Sequence, residues 1–290
     1  MNYENDSKIW RIFGPLFTFF GVRLLVETIF YVVLWNIKFK NFKVSAAFNG
    51  ILYVEEYGEY VASYTLLMSC ISLLICIPIM YLLMKKDYEY PVNPKRKERE
   101  FSLKASLKTV DVKIFNYPIL LGVTAALGIG RFITMLPIDN ILGSYKEIQK
   151  NIGSSSILLQ LFVLGILTPV LEEMLFRGII YNRLKGYYDV AVAAYVAAII
   201  FAIAHFNLIQ GIYAFVVGII LIYIYEKYNS LTAAMVMHGA SNIITVIMGV
   251  NPISRFIDKY ILVRLIVSMA MIAVFVLVVL KINEKSKEEQ

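Results

Sequence analysis

The sequence predicts an all-α integral membrane protein with about eight transmembrane helices. Three observations predict this class. Hydrophobic residues make up 59% of the 290 residues and charged residues 17%, where soluble domains hold roughly 45–50% and 25%. Mean hydropathy is +0.68. The apolar residues gather into runs of about 20, long enough to cross a bilayer core.

The first run, Ile9–Ile37, is too long for the apolar region of a signal peptide, and no small-x-small cleavage site follows it promptly. It reads as a retained helix, with Arg23 and Glu27 four apart and able to pair on one face. The second, Tyr60–Met84, holds Cys70 and Cys76. Six residues apart in an apolar run, they read as packing residues and not as a disulfide framework or zinc knuckle. The Lys85–Lys113 stretch follows, with Lys95-Arg96-Lys97-Glu98-Arg99 at its centre. Such a run fixes topology or meets anionic lipid. The third, Ile114–Leu136, carries a small-residue run from Gly122 to Gly130 that suits close helix packing. Arg131, next to it, pairs with a partner or snorkels. The remaining runs are Ser156–Phe176, Val190–Phe206, Ile212–Tyr225, Leu231–Val250 and Tyr260–Leu280. The fifth and sixth are short.

Charge sets the orientation. With the N-terminus inside and strict alternation, inside segments hold 18 Lys/Arg and outside segments seven, while Arg23, Arg131 and Arg264 fall within spans. Arg177 and Arg183 count among the inside loops. This bias predicts cytoplasmic N- and C-termini. The net charge of +7 is spread between apolar runs and forms no nucleic-acid-binding face or motif. Membrane lipid is the expected surrounding, and nucleic acid is not an expected partner.

Few polar residues lie within the later runs, and those few invite explanation. An ionisable group at membrane depth costs roughly 2.5–3.5 kcal/mol on the insertion scale. The fourth run ends Thr168-Pro169-Val170-Leu171-Glu172-Glu173-Met174-Leu175-Phe176-Arg177. Neighbours on a helix differ by about 100° in direction, so Glu172 and Glu173 meet different surroundings. Glu173 and Arg177 have the favourable i, i+4 order for an ion pair. That leaves Glu172 without a local partner and suited to act as a general base. Pro169 frees a carbonyl that a neighbour must satisfy.

The chain's two histidines are His205, closing the fifth run, and His238, four before Asn242 on one helix face. Together these residues predict a polar catalytic cavity among helices four to seven. The set suits hydrolysis by activated water, with Glu172 taking the proton, His205 orienting the water, and His238 and Asn242 donating to an oxyanion. This version needs no cofactor. The same atoms suit a metal instead, with zinc held by Glu172, His205 and His238. A non-catalytic membrane scaffold and bis-histidine haem ligation by His205 and His238 are further alternatives.

Depth constrains all of these. If helix four continues through Arg177 and Arg183 to about Leu184, Glu172 lies roughly 18 Å deep. By the same count His238 is about 12 Å deep and His205 about 24 Å deep. Tilt, or a fifth helix that does not span fully, would bring them together.

At these residues the chain resembles the CPBP family (CAAX protease and bacteriocin processing, also called Abi). Its three motifs are Glu-Glu-x-x-x-Arg, Phe-x-x-x-His and His-x-x-x-Asn/Asp. They are matched here by Glu172-Glu173-Met-Leu-Phe-Arg177, Phe201-Ala-Ile-Ala-His205 and His238-Gly-Ala-Ser-Asn242. The resemblance covers roughly Ser156 to Val250. It implies an intramembrane endopeptidase related to enzymes that trim prenylated CAAX proteins, with Glu172 as water-activating base and Glu173–Arg177 as its support. It further implies His205 on the water, His238 and Asn242 at the oxyanion, and a peptide or lipopeptide substrate. Family members are often labelled metalloproteases, yet the mechanism of the archaeal-type CAAX peptidases is usually described as metal-free glutamate catalysis. Residues 1–155 then form the N-terminal helices and basic loop, 156–250 the catalytic core, and 251–290 the last helix and charged tail, in one integral domain. A bacterial plasma membrane is the expected location.

Overall fold

A computed structural model describes residues 7–38, 57–89, 115–136, 153 and 155–288. Among these the chain is helical, with no strand. We number the long elements α1 (Lys8–Lys38), α2 (Thr65–Glu89), α3 (Asn116–Ile133), α4 (Ile157–Tyr187), α5 (Val190–Ile203), α6 (Leu208–Tyr228), α7 (Leu231–Val250), α8 (Pro252–Lys259) and α9 (Ile261–Glu288). Seven of them are long and apolar enough to cross a membrane. The fifth expected span, α5, has only 14 residues. At 1.5 Å per residue it covers about 21 Å, short of a hydrocarbon core of roughly 30 Å. The sixth span is longer than its apolar run suggested, because Leu208–Tyr228 includes the polar Gln210 and Glu226 at its ends.

The largest departure concerns α4. Its apolar run stops near Phe176, yet the helix continues to Tyr187. Arg177 and Arg183, counted with the inside loops by the charge rule, therefore sit in the helix and are buried. Each finds a carboxylate partner, which removes the reason for the helix to stop there.

Tight turns follow α4, and the sequence explains each one. Asp189 caps α5 by accepting from the Val192 N–H, and Asn207 caps α6 by accepting from the Gln210 N–H. Asn229 ends α6 in the left-handed conformation that asparagine tolerates. Ser230 then caps α7, and Asn251 caps α8 with Pro252 in its first turn. Satisfied helix ends let α4 to α8 follow one another with almost no loop.

Glycines set the closest approaches. A Cβ on Gly122 would overlap the Met237 carbonyl oxygen of α7, and one on Gly128 would lie 2.9 Å from the Ile272 nitrogen of α9. The small-residue run of α3 is thus shared between two neighbours. Beyond it, Arg131 donates to Asp258 at 2.7 Å and to Ser254 at 2.6 Å, fastening α8 to the end of α3.

At the opposite end Arg183 donates to both oxygens of Asp87 at 2.7 and 2.9 Å and to the Arg11 carbonyl, tying α4 to α2 and α1. We call these the Arg131 end and the Arg183 end. The core has two main parts, one mainly from α1, α2, α4 and α5, the other from α3 and α9, and α6 and α7 contribute to both.

Candidate active site

Glu172 and Glu173 lie in a six-residue α-helical stretch, Thr168–Glu173, bounded by π-helix on both sides, Val163–Leu167 and Met174–Tyr181. Runs of π-helix are rare and collect at functional sites. Local chemistry accounts for the first. Pro169 has no N–H, so the carbonyls four and five residues before it, Gly165 and Leu164, lose their helical donor. The Asn242 side chain donates to Leu164 O at 2.9 Å. Gly239 comes so close to Gly165 O that a Cβ there would stand 2.8 Å away. Helix α7 therefore closes the gap that proline opens, as the sequence reading required of some neighbour.

Glu173 is fully buried, with Arg177 only 1% exposed. The two pair at 2.9 Å, Arg177 Nη1 to Glu173 Oε1. Arg177 also donates from Nη2 to Gly218 O of α6 at 3.1 Å. Its guanidinium carbon stands 4.5 Å from the centre of the Phe201 ring. Carboxylate, carbonyl and aromatic face together replace the water this cation has lost. Among the described residues, Glu173 Oε2 and Arg177 Nε have no hydrogen-bond partner.

His238 bridges the two glutamates. Its Nδ1 lies 2.8 Å from Glu173 Oε1, and its Nε2 faces Glu172 Oε2 at 3.6 Å. The sequence reading put His238 and Asn242 on one face as donors to an oxyanion. In the structure Asn242 donates to Leu164 O and His238 meets the two carboxylates. Glu172 is not left alone either: the partner absent from its own helix comes from α7. Its carboxylate is the more open of the two, with 19% of the side chain exposed.

His205 lies in the α5–α6 turn, beside Phe206 at φ 50°. Its Nδ1 is 2.8 Å from Phe201 O. No hydrogen bond or ion pair joins it to Glu172 among the described residues. One ring stands between the histidines: Phe201 meets His205 at 4.9 Å and His238 at 6.0 Å, both edge-on. Helix α5 is short, as its apolar run suggested, and His205 follows it in the turn. Phe201 itself carries Arg177, His205 and His238 on one ring. Sequence reasoning had it as a motif letter only, although its place four before His205 was a signal.

The polar cavity expected among helices four to seven is not where the large apolar one lies. A cavity of about 1000 Å³ is bounded by α2, α3, α4 and α7, and none of the motif carboxylates or histidines lines it. The metal alternative fares poorly on geometry. Among the described residues, no three His, Cys, Asp or Glu side chains gather as a metal-binding group. Glu172, His205 and His238 therefore do not fit a zinc shell, and Glu173 is already committed to Arg177 and His238.

Comparison with known proteins bears on this same segment. Residues 154–244 match the family model described as type II CAAX prenyl endopeptidase Rce1-like. A Bacillus subtilis (strain 168) protein named "Putative membrane peptidase YdiL" is 24% identical over 151 residues, 48% of this chain and 62% of that protein. UPF0177 protein YxdF of Lactococcus lactis subsp. lactis (strain IL1403) is 27% identical over 93 residues, 32% of this chain and 51% of that protein. The chain thus spans less than two thirds of either relative. No solved structure matches it significantly. Glu172, Glu173, Arg177, His205, His238 and Asn242 all fall inside that matched segment, and the match is consistent with the CPBP family that the three motifs resemble.

Proposed function

We propose that the chain is an intramembrane endopeptidase that hydrolyses a peptide bond of a membrane-associated peptide or lipopeptide with water activated by Glu172. One observation carries this reading. His238 stands 2.8 Å from the fully buried Glu173 and 3.6 Å from the partly exposed Glu172, inside a segment that matches a peptidase family.

The roles follow from the contacts. Glu172 is the more open carboxylate and has no arginine, so it is the base that takes a proton from the attacking water. Glu173 is held by Arg177 and in turn holds His238 through Nδ1. That contact fixes the ring and leaves Nε2 as the nitrogen turned toward Glu172 and the scissile carbonyl. Nδ1–H donates to Glu173, so a second proton on Nε2 makes the ring an imidazolium, and that Nε2–H donates to the developing oxyanion. Asn242 has two amide hydrogens. One goes to Leu164 O, and the second is the other oxyanion donor. His205 is tethered through Nδ1 and has Nε2 left to place the water. Such catalytic contacts tighten only when substrate is bound.

The loop charge bias supports cytoplasmic termini, and the bacterial sources of both relatives support a bacterial plasma membrane. We propose glutamate catalysis without a metal step, because the candidate ligands are not gathered. Purified wild type and Glu172→Ala protein, assayed on candidate lipopeptides and leader peptides, test the reading. Cleavage by wild type and not by the variant is expected, and equal turnover would leave a non-catalytic scaffold. Full activity after stringent chelation is expected as well. Loss on chelation and recovery with zinc would overturn the metal-free version.

A further inference from the structure

Charged side chains within the spans are met by other helices. Glu172 and Glu173 reach His238 of α7, Arg177 reaches Gly218 O of α6, Arg183 reaches Asp87 of α2, and Arg131 reaches Asp258 of α8. Arg23 and Glu27 of α1 are different. They meet each other, Arg23 Nε to Glu27 Oε1 at 2.8 Å, and have no other hydrogen-bond or ion-pair partner among the described residues. Both Nη groups of Arg23 and Oε2 of Glu27 are left over. The two side chains are 44% and 35% exposed. Arg23 is the middle residue of the 31-residue α1, roughly 22 Å from either end. A hydrocarbon core roughly 30 Å thick takes in both residues wherever it falls along so long a helix. Charge facing acyl chains at that depth is costly. Helix α1 is also the least buried of the seven spans.

The left-over atoms say what covers this face. They are donors and an acceptor on one surface, so the surface is complementary to itself. In a two-fold pair of like-oriented chains the same patch meets itself, and each contact between two residues occurs twice. Arg23 already crosses the rise of four residues, about 6 Å, to its own Glu27. Between two parallel α1 helices the offset from Arg23 to the opposite Glu27 is the same. We propose that a second copy of this chain covers α1, with the Nη groups of each Arg23 donating to Glu27 Oε2 of the other copy. The two reciprocal contacts then satisfy all four charges, and forked arginine–carboxylate pairs are the strong kind. Acyl chains would satisfy none of them. The covered face reaches the candidate site. Phe20, three residues before Arg23 and so on the same side of the helix, has its ring 5.3 Å from that of Phe206, the residue after His205. The pairing does not depend on catalysis, and its test reads association alone.

Full-length chains carrying donor or acceptor fluorescent proteins at the C-terminus are reconstituted at high dilution in phosphatidylcholine vesicles, and energy transfer between them is measured. Wild type should associate. Arg23→Glu alone puts two acids on the face and Glu27→Arg alone two bases, so each variant should self-associate at least about tenfold more weakly. Mixed together, the two variants complement each other, and transfer should return to the wild-type level. That recovery separates a reciprocal contact from a pair that only steadies its own helix. Should either variant fail to insert, Leu24→Cys and Leu25→Cys serve instead, because both positions are exposed and both charges are kept. Oxidation should link two copies through Leu24→Cys, beside the charged face, and not through Leu25→Cys, on the opposite side of the helix. Absence of transfer in wild type overturns the proposal and leaves the face to lipid or to a different protein. Self-association of either variant at wild-type strength, failure of the mixture to recover, or equal cross-linking at both positions overturns it as well.

Discussion

Arg177 and Arg183 lie six residues apart on α4, are both buried and both face a carboxylate, yet their surroundings differ. Arg183 donates to both oxygens of Asp87. One arginine takes both oxygens of that carboxylate, and the pair joins α4 to α2 and, through the Arg11 carbonyl, to α1. Arg177 takes only Oε1 of Glu173, and the same oxygen meets His238. The first arrangement is closed and acts as a brace. The second is open, so the orientation Arg177 gives to Glu173 passes on to His238 and then to Glu172. A buried ion pair alone is weak evidence of function. A carboxylate shared between an arginine and a histidine beside a second carboxylate is stronger.

The sharpest way to break this comparison is to remove the acceptor at the open end. Glu172→Gln keeps the shape of the side chain and removes the proposed base. Turnover should fall about 10²- to 10⁴-fold, with the thermal midpoint in detergent unchanged. A variant that loses activity and stability together would make Glu172 a structural residue like Asp87.

The brace should respond in the opposite way. Asp87→Ala leaves Arg183 buried without its carboxylate, at a cost of about 3–5 kcal/mol. The midpoint should drop strongly, while turnover per folded molecule stays near wild type. Joint replacement of Asp87 by Leu and Arg183 by Met should restore most of the stability, because an apolar pair of similar volume removes the need for partnering. If the double variant is as unstable as the single one, the pair is more than a brace.

This contrast also marks what was legible in the sequence. Glu173–Arg177 was readable because four residues on a helix is a local distance. The length of α4 was readable only as a supposition, since hydropathy falls at Arg177 and the partner that keeps the helix going, Asp87, is 96 residues away. The same holds for His238. Its spacing from Asn242 correctly put both on one face of α7, but a face does not say which neighbour it meets. Glu173 takes one residue and Leu164 O the other. The π-helical stretches left no periodic signal at all, although Pro169, Gly165 and Gly239 each told part of the story. The brevity of α5 was visible, because its apolar run was itself short.

A smaller effect sharpens the role of Arg177. Arg177→Lys keeps the charge beside Glu173 but gives up the flat guanidinium over Phe201 and the bond to Gly218 O. Lysine does not reproduce a stacked, forked contact. A loss of about 1–2 kcal/mol is expected, a factor of roughly 5–30. It should appear in kcat and leave KM near its wild-type value, because the change acts through His238 and not on substrate binding. A change confined to KM would place Arg177 among substrate contacts.

The smallest expected effect concerns the contact between α4 and α7. Glycine to alanine inside a helix normally stabilises by about 0.5–1 kcal/mol. At Gly249, where a Cβ would meet nothing within 4 Å, that gain should be seen as a slightly higher midpoint. At Gly239 the new Cβ would stand 2.8 Å from Gly165 O. A backbone oxygen gives way only if α4 moves, and that movement opposes the gain, leaving a net loss of about 1 kcal/mol. His238 is the next residue and holds Glu173 at 2.8 Å, so displacement of α4 lengthens this bond directly. Gly239→Ala should therefore lower turnover several-fold for a modest drop in midpoint, while Gly249→Ala leaves turnover unchanged. Matched behaviour of the two variants would show that α4 and α7 tolerate separation, and that the contact between Glu173 and His238 does not depend on how closely those helices pack.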